Sequence, residues 1–137
     1  MSTDARQRPG IETSSPRHPV GAHVLLDLHG IAAARLNDPQ HLQSCLEQAA
    51  RDGGAHVVDA RFSKFEPQGA SGVVILAESH VAVHTWPELG FAAVDVFTCG
   101  APEVALAVAD AVVRLLAPAS FERRVLARGP GAAGDRA

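Results

Sequence analysis

The sequence predicts an α+β fold, a two-layer sandwich in which an antiparallel sheet carries two helices on one face. Three observations predict it. Six short segments have the apolar or β-branched character of strands, whereas only two stretches carry helical spacing. Their order is β-α-β-β-β-β-α-β, so most strands are sequence neighbours and can pair antiparallel. The length, 137 residues at 47% hydrophobic content, suffices for one compact domain and not for two ordinary ones. Two helices cover one face of a sheet. The other face must be covered or stay partly wet, and in so short a chain a homodimer partner is the expected cover.

Residues 1–20 are polar, Pro-rich and without periodicity, and are read as a mobile tail. The folded domain is expected over 21–128, and the Gly/Ala-rich residues 129–137 as a second loose tail. Ala22–Leu28 is apolar except for His23 and Asp27, which predicts a strand. Asp38 can cap a helix whose first position suits Pro39. Leu42, Cys45, Leu46, Ala49 and Ala50 then share one helical face, and Gly53-Gly54 ends the helix. His56–Phe62 is a short β-branched strand and Pro67–Ser71 a loop. Strands follow at Gly72–Ala77 and Val81–Trp86. Between them Glu78-Ser79-His80 offers no Gly, Pro or Asn for a relaxed turn, so a tight and unusual connection is expected. Pro87–Gly90 is a turn and Phe91–Thr98 a strand. Pro102–Leu116 is the second helix, bounded by Pro118, and Phe121–Ala127 is a final strand.

Composition excludes several classes of function. A formal net charge of −3 argues against a broad basic surface, hence against nucleic acid or anionic membrane as partner. Apolar runs fall short of the roughly 18 residues that span a bilayer. The N-terminal stretch has no apolar segment of secretory type. Cys45 and Cys99 are too few for a disulfide framework, and a reducing cytoplasm fits best. Lys64 is the only lysine.

Chemistry-bearing side chains crowd between Ser71 and Cys99: Glu78, Ser79, His80, His84, Trp86, Glu88 and Asp95 lie between them. Taken singly, each has an ordinary structural use. A strand histidine is usually a satisfied polar group, a free cysteine a small hydrophobe, and Trp86 or Phe65 a packing residue. Ser71 can cap a turn. His80 and His84 share a strand face and could give two metal ligands. A catalytic zinc site usually has three, and no third is marked, so no metal is expected. No G-x-S-x-G or papain-like signature marks a hydrolase.

The whole segment FEPQGASGVVILAESHVAVHTWPELGFAAVDVFTCG, Phe65–Gly100, closely resembles the prokaryotic S-adenosylmethionine decarboxylase proenzymes, small pyruvoyl-dependent enzymes of polyamine synthesis. The likeness runs near-continuously over these 36 residues, and its core is AESH-x3-HTWPE-x-G-x-A-x-VDVFTCG. The upstream GAHVLLDLHG (Gly21–Gly30) and the helix after it look like the family's first strand and helix. The resemblance implies a proenzyme that cuts itself between Glu78 and Ser79 by an N→O acyl shift, followed by β-elimination and hydrolysis. The products would be chains of 78 and 59 residues, the second starting with a pyruvoyl group made from Ser79. That implication accounts for the single lysine: a pyruvoyl carbonyl can form the Schiff base with an amino-acid substrate that a PLP enzyme needs lysine for.

By position, the resemblance makes His84 the processing base, Cys99 the acid that reprotonates the product, and Ser71 a further active-site residue. It places Phe65 and Trp86 against a nucleoside and sulfonium, and Glu88 near ribose hydroxyls. The implied reaction converts S-adenosylmethionine into its decarboxylated form, the aminopropyl donor for spermidine synthesis, in an assembly with the chain's own cleaved N-terminal piece. Three places depart from the common pattern: Leu89 and Phe91 stand where tyrosines are usual, Ala101-Pro102 replaces acidic residues, and the loop reads Pro67-Gln68-Gly69-Ala70-Ser71-Gly72. These bear on substrate choice. An ornithine or arginine decarboxylase of the same family is the alternative, and a non-cleaving regulatory paralogue a more distant one.

Overall fold

The computed structural model describes residues 20–131 and shows an antiparallel six-stranded sheet backed by helices. The elements are β1 (Gly21–His29), α1 (Ala33–Leu36), α2 (Pro39–Asp52), β2 (Val57–Lys64), β3 (Ala70–Leu76) and β4 (Ser79–Trp86). A short 3-10 turn (Pro87–Leu89), β5 (Phe91–Cys99), α3 (Pro102–Leu116) and β6 (Ser120–Arg128) complete them. The strand order is β2-β3-β4-β5-β1-β6. The expected α+β two-layer sandwich is therefore the fold observed. Apart from Val20 and residues 129–131, the two expected tails lie outside the described residues.

Alternation along the strands builds the core. Val24, Leu26 and Leu28 of β1 point to the helices, as do Val94 and Val96 of β5, Val81 and Val83 of β4, and Val74 and Leu76 of β3. They meet Leu42, Leu46, Ala49 and Ala50 of α2 and Ala105, Val108, Ala109, Val112 and Leu116 of α3. Fully burying each large aliphatic side chain stabilises the fold by about 1.5–3 kcal/mol. α2 starts as expected: Asp38 accepts a 3.1 Å hydrogen bond from the His41 N–H, and Pro39 follows it. It ends at Gly53, where a Cβ would lie 2.6 Å from the Val108 backbone nitrogen; only glycine lets α2 approach α3 so closely. Among the described residues no helix is long and apolar enough to cross a membrane.

Two expectations need correction. A third, four-residue helix, α1, is present; Arg35 on it donates to the carbonyls of Leu115 and Leu116, capping α3. The β3–β4 connection is only Ala77-Glu78, because Ser79 and His80 already belong to β4. A residue distant in sequence, His56 just before β2, holds this two-residue link in place of turn residues. The Ala77 N–H donates to the His56 carbonyl at 2.9 Å, and the Glu78 carboxylate accepts from the His56 N–H at 3.0 Å.

The open sheet face carries Leu25, Val73, Ile75, Ala82, Phe91, Ala93 and Phe97 among His23, Asp27, His80, His84 and Asp95. Trp86, also on this face, is 40% exposed. It is an apolar face with polar groups set into it, and no helix of the described residues packs on it.

Candidate active site

The site begins where β3 hands over to β4. β4 pairs with β5 so that Ser79 faces Thr98 and His80 faces Phe97. The Cys99 N–H donates to the Glu78 carbonyl oxygen at 2.9 Å. A hydrogen-bond donor is thereby aimed at the carbonyl of the Glu78–Ser79 peptide bond. Ser79 has φ 157°, close to extended, and its hydroxyl lies 3.3 Å from His80 Nδ1. The His80 ring packs edge-on to Phe97, with centroids 6.1 Å apart. A depression of about 500 Å³ opens beside Ser79, lined by Val73, Ile75, Leu76, Ala77, His80 and Ala82.

The Glu78 side chain is held as firmly as its carbonyl. One carboxylate oxygen takes the His56 N–H, and the other lies 2.7 Å from His56 Nδ1. Burial pushes the Glu78 carboxyl up, but the His56 ring and backbone hydrogen bonds pull it down and prevail. Its pKa lies below the ordinary 4.5.

A second cluster sits further along β4, on the open face. Ser71 and His84 are cross-strand partners, and the Ser71 hydroxyl lies 2.8 Å from His84 Nδ1. A depression of about 370 Å³ joins them to Arg61, Phe65, Val73 and Ala82. Phe65 is 51% exposed at its rim. Trp86, two residues beyond His84 on the same face, packs its ring at 5.5 Å from Phe91. Glu88 is exposed in the 3-10 turn.

The structure thus brings Glu78, Ser79 and Cys99 together, and separately Ser71, His84, Phe65 and Trp86. It does not join the two clusters within one chain. Ser79 and His84 are five positions apart on a continuous strand, about 16 Å at 3.2–3.4 Å per residue. The same spacing corrects the idea of a shared metal: His80 and His84 stand about 13 Å apart, too far for one ion with bonds near 2 Å. Two residues were not singled out from sequence. His56 lies 22 positions before Glu78 with no motif to mark it. Thr98 sits inside the recognisable TCG segment, but only the strand register shows that it faces Ser79.

Comparison with known proteins places this geometry among relatives. Residues 22–129 match the family model described as S-adenosylmethionine decarboxylase. The S-adenosylmethionine decarboxylase proenzyme of Acetivibrio thermocellus is 52% identical over 81 residues, covering 59% of this chain and 65% of that protein. The proenzyme of Aquifex aeolicus is 39% identical over 110 residues, covering 80% of this chain and 82% of the relative. The match thus spans about 65% of the length of the first of these relatives. The crystal structure of the adenosylmethionine decarboxylase from Aquifex aeolicus superposes with a TM-score of 0.77 at 38% identity. That superposition covers 82% of this chain and 92% of the other.

Proposed function

The chain belongs to the S-adenosylmethionine decarboxylase family, and from that premise we propose that it is a self-cleaving decarboxylase of S-adenosylmethionine. The observation that carries this reading is the 2.9 Å hydrogen bond from the Cys99 N–H to the Glu78 carbonyl oxygen. A donor fixed there stabilises the charge that develops on that oxygen when a nucleophile adds to the carbonyl carbon. The neighbouring Ser79 hydroxyl is that nucleophile. Its addition forms an ester between Glu78 and Ser79, the C–N bond breaks, and the proton passes from oxygen to nitrogen. Removal of the Ser79 α-proton then expels the new main-chain carboxylate of Glu78, and hydrolysis of the dehydroalanine left behind gives a pyruvoyl group and ammonia. The residues at 78, 79 and 99 suit the formation of a pyruvoyl group: a polarised carbonyl, an adjacent hydroxyl and a half-buried thiol stand at one strand junction. Such a group would supply the electron sink for loss of CO2 from an α-amino acid. Cys99 would return a proton to the substrate.

The remaining chemistry needs His84, which the strand holds about 16 Å from Ser79 in the same chain. A second copy, docked through the open sheet face, supplies it. In a homodimer packed this way, the Ser79–Cys99 cluster of one protomer meets the Ser71–His84 cluster of the other. His84 takes the α-proton, held in orientation by Ser71. Phe65 and Trp86 offer ring faces for an adenine and a sulfonium, and Glu88 an acceptor for ribose hydroxyls. The product would be an aminopropyl donor for spermidine synthesis, and two cysteines not joined in a disulfide suit a reducing cytoplasm.

The test is CO2 release from carboxyl-labelled S-adenosylmethionine, ornithine or arginine, each offered alone to the purified protein. Turnover of S-adenosylmethionine is expected. Release from ornithine or arginine with none from S-adenosylmethionine would contradict the assigned substrate.

A further inference from the structure

Two threonines of the described residues are buried, and they differ in a telling way. Thr85 is fully bonded: its hydroxyl donates to the Leu36 carbonyl at 2.7 Å and accepts from the Ala70 N–H at 2.9 Å. Thr98 is 0% exposed, and its hydroxyl has no hydrogen-bond partner among the described residues. A buried hydroxyl without a hydrogen bond is a cost that a valine of the same shape would avoid. Such a group therefore calls for a reason, and its position supplies one.

Thr98 is the cross-strand partner of Ser79. The hydrogen bond from the Cys99 N–H to the Glu78 carbonyl joins the residue after Thr98 to the residue before Ser79. That pattern makes Ser79 and Thr98 a non-hydrogen-bonded pair, the class with the closest side chains, about 4.5 Å between Cα atoms. Directly opposite residues also share a face of the sheet. The nearest unsatisfied hydroxyl to the Ser79 side chain is then Thr98 Oγ1, while Ser79 Oγ rests on His80 Nδ1 at the long distance of 3.3 Å.

We propose that Thr98 is a positioning residue for self-cleavage, its hydroxyl taking up the Ser79 oxygen as that oxygen leaves His80 to attack the Glu78 carbonyl. During attack the Oγ–C bond forms, the C–N bond breaks and the hydroxyl proton ends on the Ser79 nitrogen. Thr98 exchanges no proton. It fixes the rotamer from which the bond forms, and the buried hydroxyl finds in that arrangement the partner it lacks beforehand. The inference rests on the proposed self-cleavage at Glu78–Ser79.

The experiment follows the fraction of full-length chain cleaved with time after a pulse of cell-free synthesis, by intact mass, for wild type, Thr98→Val and Thr98→Ser. Melting temperatures are measured on the same substitutions in an uncleavable Ser79→Ala chain. Thr98→Val is expected to cleave about 3- to 10-fold more slowly, the effect of one lost hydrogen bond. Its melting temperature should be unchanged or higher, since an unsatisfied group has been removed. Thr98→Ser keeps the hydroxyl and should cleave near the wild-type rate. Wild-type cleavage in Thr98→Val overturns the role of Thr98 and leaves self-cleavage standing. Equal slowing in Thr98→Ser and Thr98→Val assigns the effect to packing and also overturns it. A wild-type chain that never cleaves removes the underlying reading together with this one.

Discussion

Glu78 is gripped from two directions, and each grip has a distinct consequence. Cys99 holds its carbonyl and His56 its carboxylate. The carboxyl pKa is lowered in the folded chain because the His56 hydrogen bonds outweigh burial. A lowered folded value means that the contact contributes stability above the unfolded value of about 4.5, and that this contribution fades as pH falls through the lowered one. In an uncleavable Ser79→Ala chain, Glu78→Gln should therefore melt below its parent at about pH 7. The gap should be smaller at about pH 3, because the carboxylate gains its proton as pH falls through the lowered value. A gap of the same size at both pH values would show that the ionised carboxylate is not what His56 holds. The segment around Ser79 and Cys99 stood out in the sequence through its near-continuous likeness to a known family, not through any one residue. His56 did not, since its role depends on β2 lying beside the β3–β4 link, which no local pattern records.

The elements differ in how much of them a sequence can show. The second long helix, Pro102–Leu116, matches the expectation from periodicity and flanking prolines because both signals are local. Most strand ends moved by one or two residues because pairing sets them. β3 begins at Ala70 rather than Gly72, since the Ala70 N–H finds the Thr85 hydroxyl and its register with Lys64 extends the ladder. The four-residue α1 gives no periodic signal, and no side chain caps its start. It exists because Leu36 is buried and Arg35 reaches α3. β4 matters most: one uninterrupted strand carries Ser79 at one end and His84 near the other. Sequence spacing suggests that residues five apart can meet, and a strand forbids it.

At the scale of the whole molecule, one covered and one open sheet face follow from having two long helices and six strands. The open face holds Ser71 and His84, and the depression beside Ser79 opens among its Val73, Ile75, His80 and Ala82, so face-to-face association of two copies would complete both sites at once. This has a direct consequence for mixed assemblies. A His84→Ala chain keeps Ser79, Cys99 and Glu78, and a Ser79→Ala chain keeps Ser71 and His84. Neither should be cleaved at an appreciable rate when made alone. Co-expressed, they should give cleavage of the His84→Ala chain, seen by mass in the fraction that forms mixed dimers. Cleavage of His84→Ala alone at the wild-type rate, or none in the mixture, would contradict a site shared between copies.

The claim on which the rest depends is that the chain cuts its own Glu78–Ser79 bond. The intact mass of the purified protein, beside that of Ser79→Ala, tests it most directly. Two chains, of 78 and 59 residues, with the second bearing the mass of a pyruvoyl group in place of its serine, are expected for the wild type, and one uncut chain for Ser79→Ala. A wild-type protein that stays whole, or a Ser79→Ala protein that still divides after residue 78, would contradict it.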